Sequence, residues 1–343
     1  MLTERREHLL RFIVDEYVRT ADPVASSAVV RRYGLPVSSA TIRNEMARLE
    51  EEGYIIQPHT SAGRIPSDKG YRYYVEALMR PQELPVAVQR TIRHQFHQAA
   101  GETAEWARLA ATVLAARLSY VAVVTIPHAA RPRLRGLQLA SMHDFAALLL
   151  VVLQEARVLQ HILTLDHPLS QDELNEISAR LNRLYAGLTA DEIRARQVDH
   201  LSLEAEAVRV MLDLMQSQDD DPFGEAYLEG LRHMLREPEF TGGDRILALL
   251  DLLGQPNLSK AIPVARAADQ PARPGKVTVI IGSEHPQDAM QQCSVVISRY
   301  GGSSGLGGAV SVVGPTRMHY PKAVSMVRYM SGIMEELLDA YFN

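Results

Sequence analysis

SSAVVRRYGLPVSSATIRNEMARLEEEGY, Ser26–Tyr54, decides how the first part of this chain folds. Ser26 or Ser27 can cap a short helix carrying Val29, Val30 and Tyr33, and Gly34-Leu35-Pro36-Val37 reads as a turn. Ser38-Ser39 then caps a third helix, Ala40 to Glu51, which stops at Gly53. Upstream, Leu9, Leu10, Ile13, Val14, Tyr17 and Val18 recur at helical spacing behind Thr3, a cap for the first helix. Downstream, Tyr54–Gln57 reads as a short strand. Arg64-Ile65 is its return across a polar loop, and Ser67 caps a helix to about Met79. Helix, turn, capped helix and hairpin make a winged helix-turn-helix over residues 1–80.

On a helical wheel Ile42, Met46 and Leu49 share the inward side of the third helix, and Ala40, Thr41, Arg43, Asn44, Ala47 and Arg48 face away. An outward Arg and Asn near a helix N-terminus suit the major groove. Arg bonds guanine O6 and N7 together, and Asn does the same with adenine N6 and N7. Arg43 and Asn44 are therefore the candidate base readers, supported by Thr41 and Arg48. Ser38 and Ser39 at the helix start, with Arg64 and His59 in the wing, are the candidate backbone contacts. Outward polar residues also serve as a solvated face, and winged helices also dock proteins. Residues 1–80 hold 12 basic and 11 acidic side chains, and Glu50-Glu51-Glu52 lie at the end of the helix away from the candidate readers.

Pro81 and Pro85 mark a boundary. A single long helix is predicted over Val86–Leu118 and a strand over Tyr120–Ile126. An antiparallel meander is expected from Leu134–Ser141, Phe145–Leu153 and Arg157–Leu165. Helices are predicted at 171–186, 190–197, 201–217, 223–236 and 243–253. Strands return at Val277–Ile281, Ser294–Tyr300 and Ala309–Val313, and a last helix runs from Tyr320 to about Phe342. The strands thus fall into two groups. Either the first strand joins the last three with the meander inserted between them, or two α+β domains follow one another.

The 343 residues carry a net charge of −5, are 46% hydrophobic and contain one cysteine, Cys293. A wholly basic nucleic-acid coat, a disulfide framework and a Cys-rich zinc module are excluded. The charged start Met1–Arg6 is not signal-like, and the longest apolar run, Phe145–Leu153, is too short to span a bilayer. A cytoplasmic protein without a membrane partner is expected. His94 and His97 lack a third zinc ligand nearby. Gly301–Gly308 lacks the Gly-Lys-Ser/Thr end of a phosphate loop, and no nucleophile elbow occurs outside it. Neither an enzyme nor a cofactor or metal is expected.

Ser38–Tyr54, and still more Gln57-Pro58-His59-Thr60-Ser61-Ala62-Gly63-Arg64-Ile65-Pro66-Ser67-Asp68-Lys69-Gly70-Tyr71-Arg72-Tyr73-Tyr74, resemble the HrcA family of heat-inducible repressors. Tyr227–Leu231, Pro238-Glu239-Phe240 and Gly314–Tyr320 agree, with His319 standing where an acidic residue is expected. The resemblance implies an α+β protein of three parts. These are a winged-helix DNA-binding domain (1–80), a GAF-like α/β domain (81–129, which includes a linker helix, and 237–343), and an inserted dimerising domain (130–236) with a three-stranded antiparallel sheet and helices. It also implies a homodimer on CIRCE, a double-stranded inverted-repeat operator of the groE and dnaK groups, kept active by the GroEL chaperonin and released by heat. The alternative is a winged-helix regulator of metabolic genes that answers to a small molecule.

Overall fold

The computed structural model describes residues 2–33, 38–59, 62–80, 82–99, 101–129, 132–154, 157–196, 202–219, 225–240, 243–254, 258–262, 275–301 and 306–342. The predicted turn at 34–37, most of the Pro-, Ala- and Gln-rich stretch 255–276, and 302–305 of the Gly-rich connection lie outside them. The chain divides into two compact units: 1–126 with 225–301 and 309–343, and 127–224 with 302–308.

In the first unit, α1 (Glu4–Thr20), α2 (Ser26–Tyr33) and α3 (Ser39–Glu51) precede a hairpin of β1 (Ile55–Ile56) and β2 (Ile65–Pro66). Leu9, Leu10, Ile13 and Val14 of α1 are buried with Val29 of α2 and with Ile42, Met46 and Leu49 of α3, the three positions predicted to face inward. Ser38 caps α3, its Oγ accepting from Thr41 N at 3.1 Å. The helix ends as a Schellman motif. Tyr54 N donates to Leu49 O, Gly53 N donates to Glu50 O, and Gly53 sits at φ +76°, where a side chain would be strained. Ser67 caps α4 (Asp68–Tyr73), which loosens into a π-helical turn over Tyr74–Leu78.

The same unit contains α5 (Val86–Gln98), α6 (Thr103–Leu118), β3 (Val121–Thr125), β8 (Ala226–Glu229), α10 (Leu231–Met234), α11 (Gly243–Leu253), α12 (Leu258–Ala261), β9 (Val277–Ile281), β10 (Cys293–Gly301), β11 (Leu306–Pro315) and α13 (Tyr320–Phe342). The strands run in the order β8-β3-β11-β10-β9. The first strand and the last three therefore share one sheet, and Ile126 N donates to Glu225 O at 2.8 Å where the chain leaves this unit and re-enters it. Every residue of β3 is buried, as are Trp106, Ala110 and Leu114 of α6. Cys293 is buried, and desolvation pushes its thiol up to about 12, which leaves it inert.

Two predicted elements are corrected. The helix expected at 86–118 is two helices, α5 and α6. Ala99 turns extended, and the missing Cβ of Gly101 leaves room for the Tyr341 ring, which would lie 2.7 Å from it. The helix expected at 223–236 is instead strand β8 followed by the short α10. Ala226–Glu229 pair with β3, and Gly230, at φ +89°, turns the chain against Tyr120 O. A partner strand outweighs local helical spacing there.

In the second unit β4 (His128–Ala129) pairs with Leu306 and Gly307 at the start of β11. The predicted meander is present as β5 (Leu134–His143), β6 (Ala146–Leu153) and β7 (Val158–Thr164), in that order. Leu137, Leu139, Leu149, Val151 and Leu163 form one core with residues of α7 (Gln171–Tyr185), α8 (Ala190–Arg194) and α9 (Ser202–Asp219). Side chains of α7 take the outer edge of β5. Asn182 Nδ2 donates to Leu137 O at 2.7 Å and its Oδ1 accepts from Leu137 N at 2.7 Å, while Ser178 Oγ accepts from Leu139 N. That edge is closed to another strand.

Gly70 gives the sharpest packing test, because a Cβ there would lie 2.0 Å from the carbonyl oxygen of Tyr54. Gly70→Ala should cost about 2–3 kcal/mol by forcing the two backbones apart, read as a lower urea midpoint at constant slope. An unchanged midpoint would show that α4 can shift without loss.

Candidate nucleic-acid interface

The N-terminal half of α3 is open. Ser38, Ser39, Ala40, Arg43 and Asn44 are exposed, and Thr41 is half-buried. Arg43 and Asn44 make no side-chain hydrogen bond or ion pair among the described residues, so their donors and acceptors are available. The Ser38 and Thr41 hydroxyls lie 3.0 Å apart at the helix start. Beside them the first N–H groups of the helix lack helical acceptors, which favours an anion such as phosphate.

The acids of α3 are all engaged. Glu45 pairs with Arg6 at 2.9 Å, Glu52 with Arg6 at 2.8 Å, Glu51 with Arg48 at 2.7 Å, and Glu50 with Arg64 at 2.8 Å. The negative charge at the end of α3 is thus largely compensated from α1 and the wing. Two candidate contacts are affected. Arg48 and Glu51 are both well exposed, and such a pair is weak enough to exchange for another anion. Arg64 is held more firmly: Nε and Nη2 both reach Glu50 Oε2, while its backbone bridges Val24. His59 is exposed in the wing, its carbonyl accepting from Ala62 N at 2.8 Å. Thr60 and Ser61 lie outside the described residues.

Much of the motif around the wing does other work. Gly63 lies so close to Val24 that a Cβ would stand 2.5 Å from its carbonyl carbon. Asp68 accepts from Ser283 N at 2.8 Å and fills the space a Cβ on Gly282 would need. Arg72 grips Glu284 with two nitrogens and donates to Val279 O at 2.7 Å, and Tyr71 packs on Tyr320 with ring centroids 5.8 Å apart. Residues 68–72 therefore fasten the winged helix to the turn after β9, Gly282–Glu284, and to the start of α13. The later blocks also meet. Arg317 pairs with Glu237 and Glu239, and Tyr120 lies against Gly314 while its hydroxyl accepts from His319 N at 2.9 Å. His319 Nδ1 accepts from Lys322 N at 3.3 Å at the start of α13, a capping role an acidic residue also performs. Apart from Gly63 with Val24 and His319 with Lys322, these partners lie at least 78 positions apart, so local reading does not find them; the density of the motif beyond the wing was the available signal.

No group of three or more metal-ligating side chains converges among the described residues, and no described helix is long and apolar enough to cross a membrane.

This fold and its exposed helix define a winged-helix transcription regulator. Residues 104–324 match the family described as HrcA protein C terminal domain. The chain is 40% identical over 351 residues to the heat-inducible transcription repressor HrcA of Roseiflexus castenholzii, covering 100% of this chain and 96% of that one. It is 41% identical over 343 residues to the same repressor of Dehalococcoides mccartyi, covering 100% and 98%. The chain belongs to the HrcA family: it is a repressor of heat-inducible transcription, not an enzyme. A crystal structure of a hypothetical protein shares the fold, with a TM-score of 0.62 and 24% identity over 99% of each chain.

Arg64→Gln should lower the stability of the winged helix by about 1 kcal/mol through loss of the two-pronged pair, with Glu50→Gln non-additive in a double-mutant cycle. Additive losses would separate Arg64 from Glu50 energetically and leave the wing arginine to another role.

Proposed function

We propose that this chain represses chaperone operons by binding the CIRCE inverted repeat as a dimer. The carrying observation is the free Arg43–Asn44 pair at the open end of α3, on a helix whose acids are all occupied. Arg43 and Asn44 read base edges, with Thr41 and Arg48 beside them. Ser38, Ser39, His59 and Arg64 hold the sugar–phosphate backbone. An inverted repeat presents two half-sites, so two copies of α3 must be held in fixed register.

The meander supports a place for the second copy. Its helix-free face carries Leu148, Leu150 and Val152 of β6 with Val158 and Ile162 of β7, which pair as Leu148↔Ile162 and Val152↔Val158. Val158 and Ile162 are each 57% exposed, an apolar patch of the kind that marks an interface. In this reading residues 130–236 contain the dimerising part, and 81–129 with 237–343 make the GAF-like part.

Dependence on the GroEL chaperonin has a physical footing in the sheet. Val124 pairs with Val310, so β3 waits for most of the chain before it gains its neighbour. Such non-local pairing folds slowly and leaves apolar strands uncovered meanwhile.

Fluorescence anisotropy with CIRCE and scrambled duplexes at two salt concentrations, with and without chaperonin, tests the reading. CIRCE should be preferred at both salts, and more of the protein should bind when chaperonin is present; equal, salt-steep binding to both duplexes would remove the operator assignment. Arg43→Ala should cost about 1–3 kcal/mol on CIRCE and little on scrambled DNA. Ile162→Asp should yield monomers in sedimentation velocity and weaken operator binding. A dimer that survives this change would move the interface elsewhere.

A further inference from the structure

A cleft of about 670 Å³ opens beside α1, lined by side chains of α1, the π turn, Tyr120 and the corner Met318–Pro321. That volume lies in the range of small-molecule sites. Its walls are Val18, Leu78, Tyr74, Tyr120 and Met318, and its polar groups converge from three directions. Arg11 Nε is buried without a hydrogen-bond partner, a costly state for a cationic donor. Arg80 is exposed at the mouth and makes no hydrogen bond or ion pair among the described residues. Arg19 is already bonded to Glu16 at 2.8 Å. The His319 ring uses Nδ1 to accept from Lys322 N, which leaves Nε2 as the donor of the neutral ring.

The lining carboxylate is Asp15, whose Oδ1 accepts from the Tyr74 hydroxyl at 2.8 Å. Desolvation pushes its carboxyl up, while its bond to Tyr74 and the nearby Arg11 guanidinium pull it down. Two arginines without bonded partners therefore face a cleft walled by tyrosine and aliphatic carbon. We propose that this cleft binds a small aromatic carboxylate, its anionic end bonded to Arg11 and Arg80 and its ring lying between Tyr74 and Tyr120. A bound acid would touch both the first helix of the winged helix and the corner that starts α13, the place from which an effector could act on α3.

The test is ¹⁹F NMR of a fluorinated naphthoate titrated with the full chain, with the matching neutral naphthamide as control. The naphthoate resonance should at least double in width and the naphthamide resonance should not. Arg80→Gln, at an exposed position, should weaken binding about tenfold, and Arg11→Gln combined with it should abolish broadening. Val18→Trp, which fills the cleft and keeps both charges, should also abolish it. Naphthoate that stays sharp, naphthamide that broadens equally, or broadening that survives both the double variant and Val18→Trp would each overturn the site. None of these readouts depends on operator binding.

Discussion

The antiparallel pairing of β3 with β11 sets the rest of the architecture. Val121–Val124 lie against Val313–Val310 in register, every one of them buried. The neck of the insertion closes on β8, where Thr125 pairs with Ala226 and Ile126 N donates to Glu225 O. β8 adds to the other side of β3. β11 also delivers the corner at 314–320, where Gly314 admits the Tyr120 ring and Tyr320 meets Tyr71 of the winged helix. β3, paired on both sides, thus fixes the neck of the insertion through β8 and, through β11, one of the surfaces on which the winged helix rests.

The fastening of the winged helix is polar as well as apolar. Arg72 on Glu284 and Val279 O, and Asp68 on Ser283 N, are charge-assisted and partly shielded bonds. Such bonds are stronger than neutral ones and strongly directional. They hold α4 in one orientation on the sheet, and α4 is locked to the hairpin and α3 through the close contact of Gly70 with Tyr54. The long motif from Gln57 to Tyr74 reads from its sequence as a wing and the start of a capped helix, and in the structure that helix is also a joint.

The winged helix is legible in the sequence because its signals are local: a serine cap, a 3.6-residue apolar stripe and a glycine stop. The meander is legible for the same reason, since alternation and short connections lie within a few residues of one another. β8 is not, because Ala226–Glu229 show helical spacing and become a strand only beside β3. The break between α5 and α6 is hidden likewise, because Gly101 matters through Tyr341, far along the chain. At the candidate interface Arg43 and Asn44 follow from the helical wheel. The engagement of Arg64 with Glu50 and of Arg6 with Glu45 and Glu52 does not, since neither pairing has a sequence pattern.

Those ion pairs bear on how a repressor of this kind loses its grip. A helix carrying Glu45, Glu50, Glu51 and Glu52 would meet phosphate with repulsion if its acids were free. Three of the four are neutralised by arginines that α3 does not itself supply, Arg6 from α1 and Arg64 from the wing. Compensation therefore exists only while α1, α3 and the hairpin keep their packing. In the proposed operator reading, loosening that packing removes the orientation of Arg43 and Asn44 and uncovers negative charge on the same surface. Both changes oppose binding, so affinity for DNA should fall more steeply with local loosening than the loss of buried area alone requires. A recognition helix built this way couples its electrostatics to its fold, which suits a repressor of heat-inducible transcription.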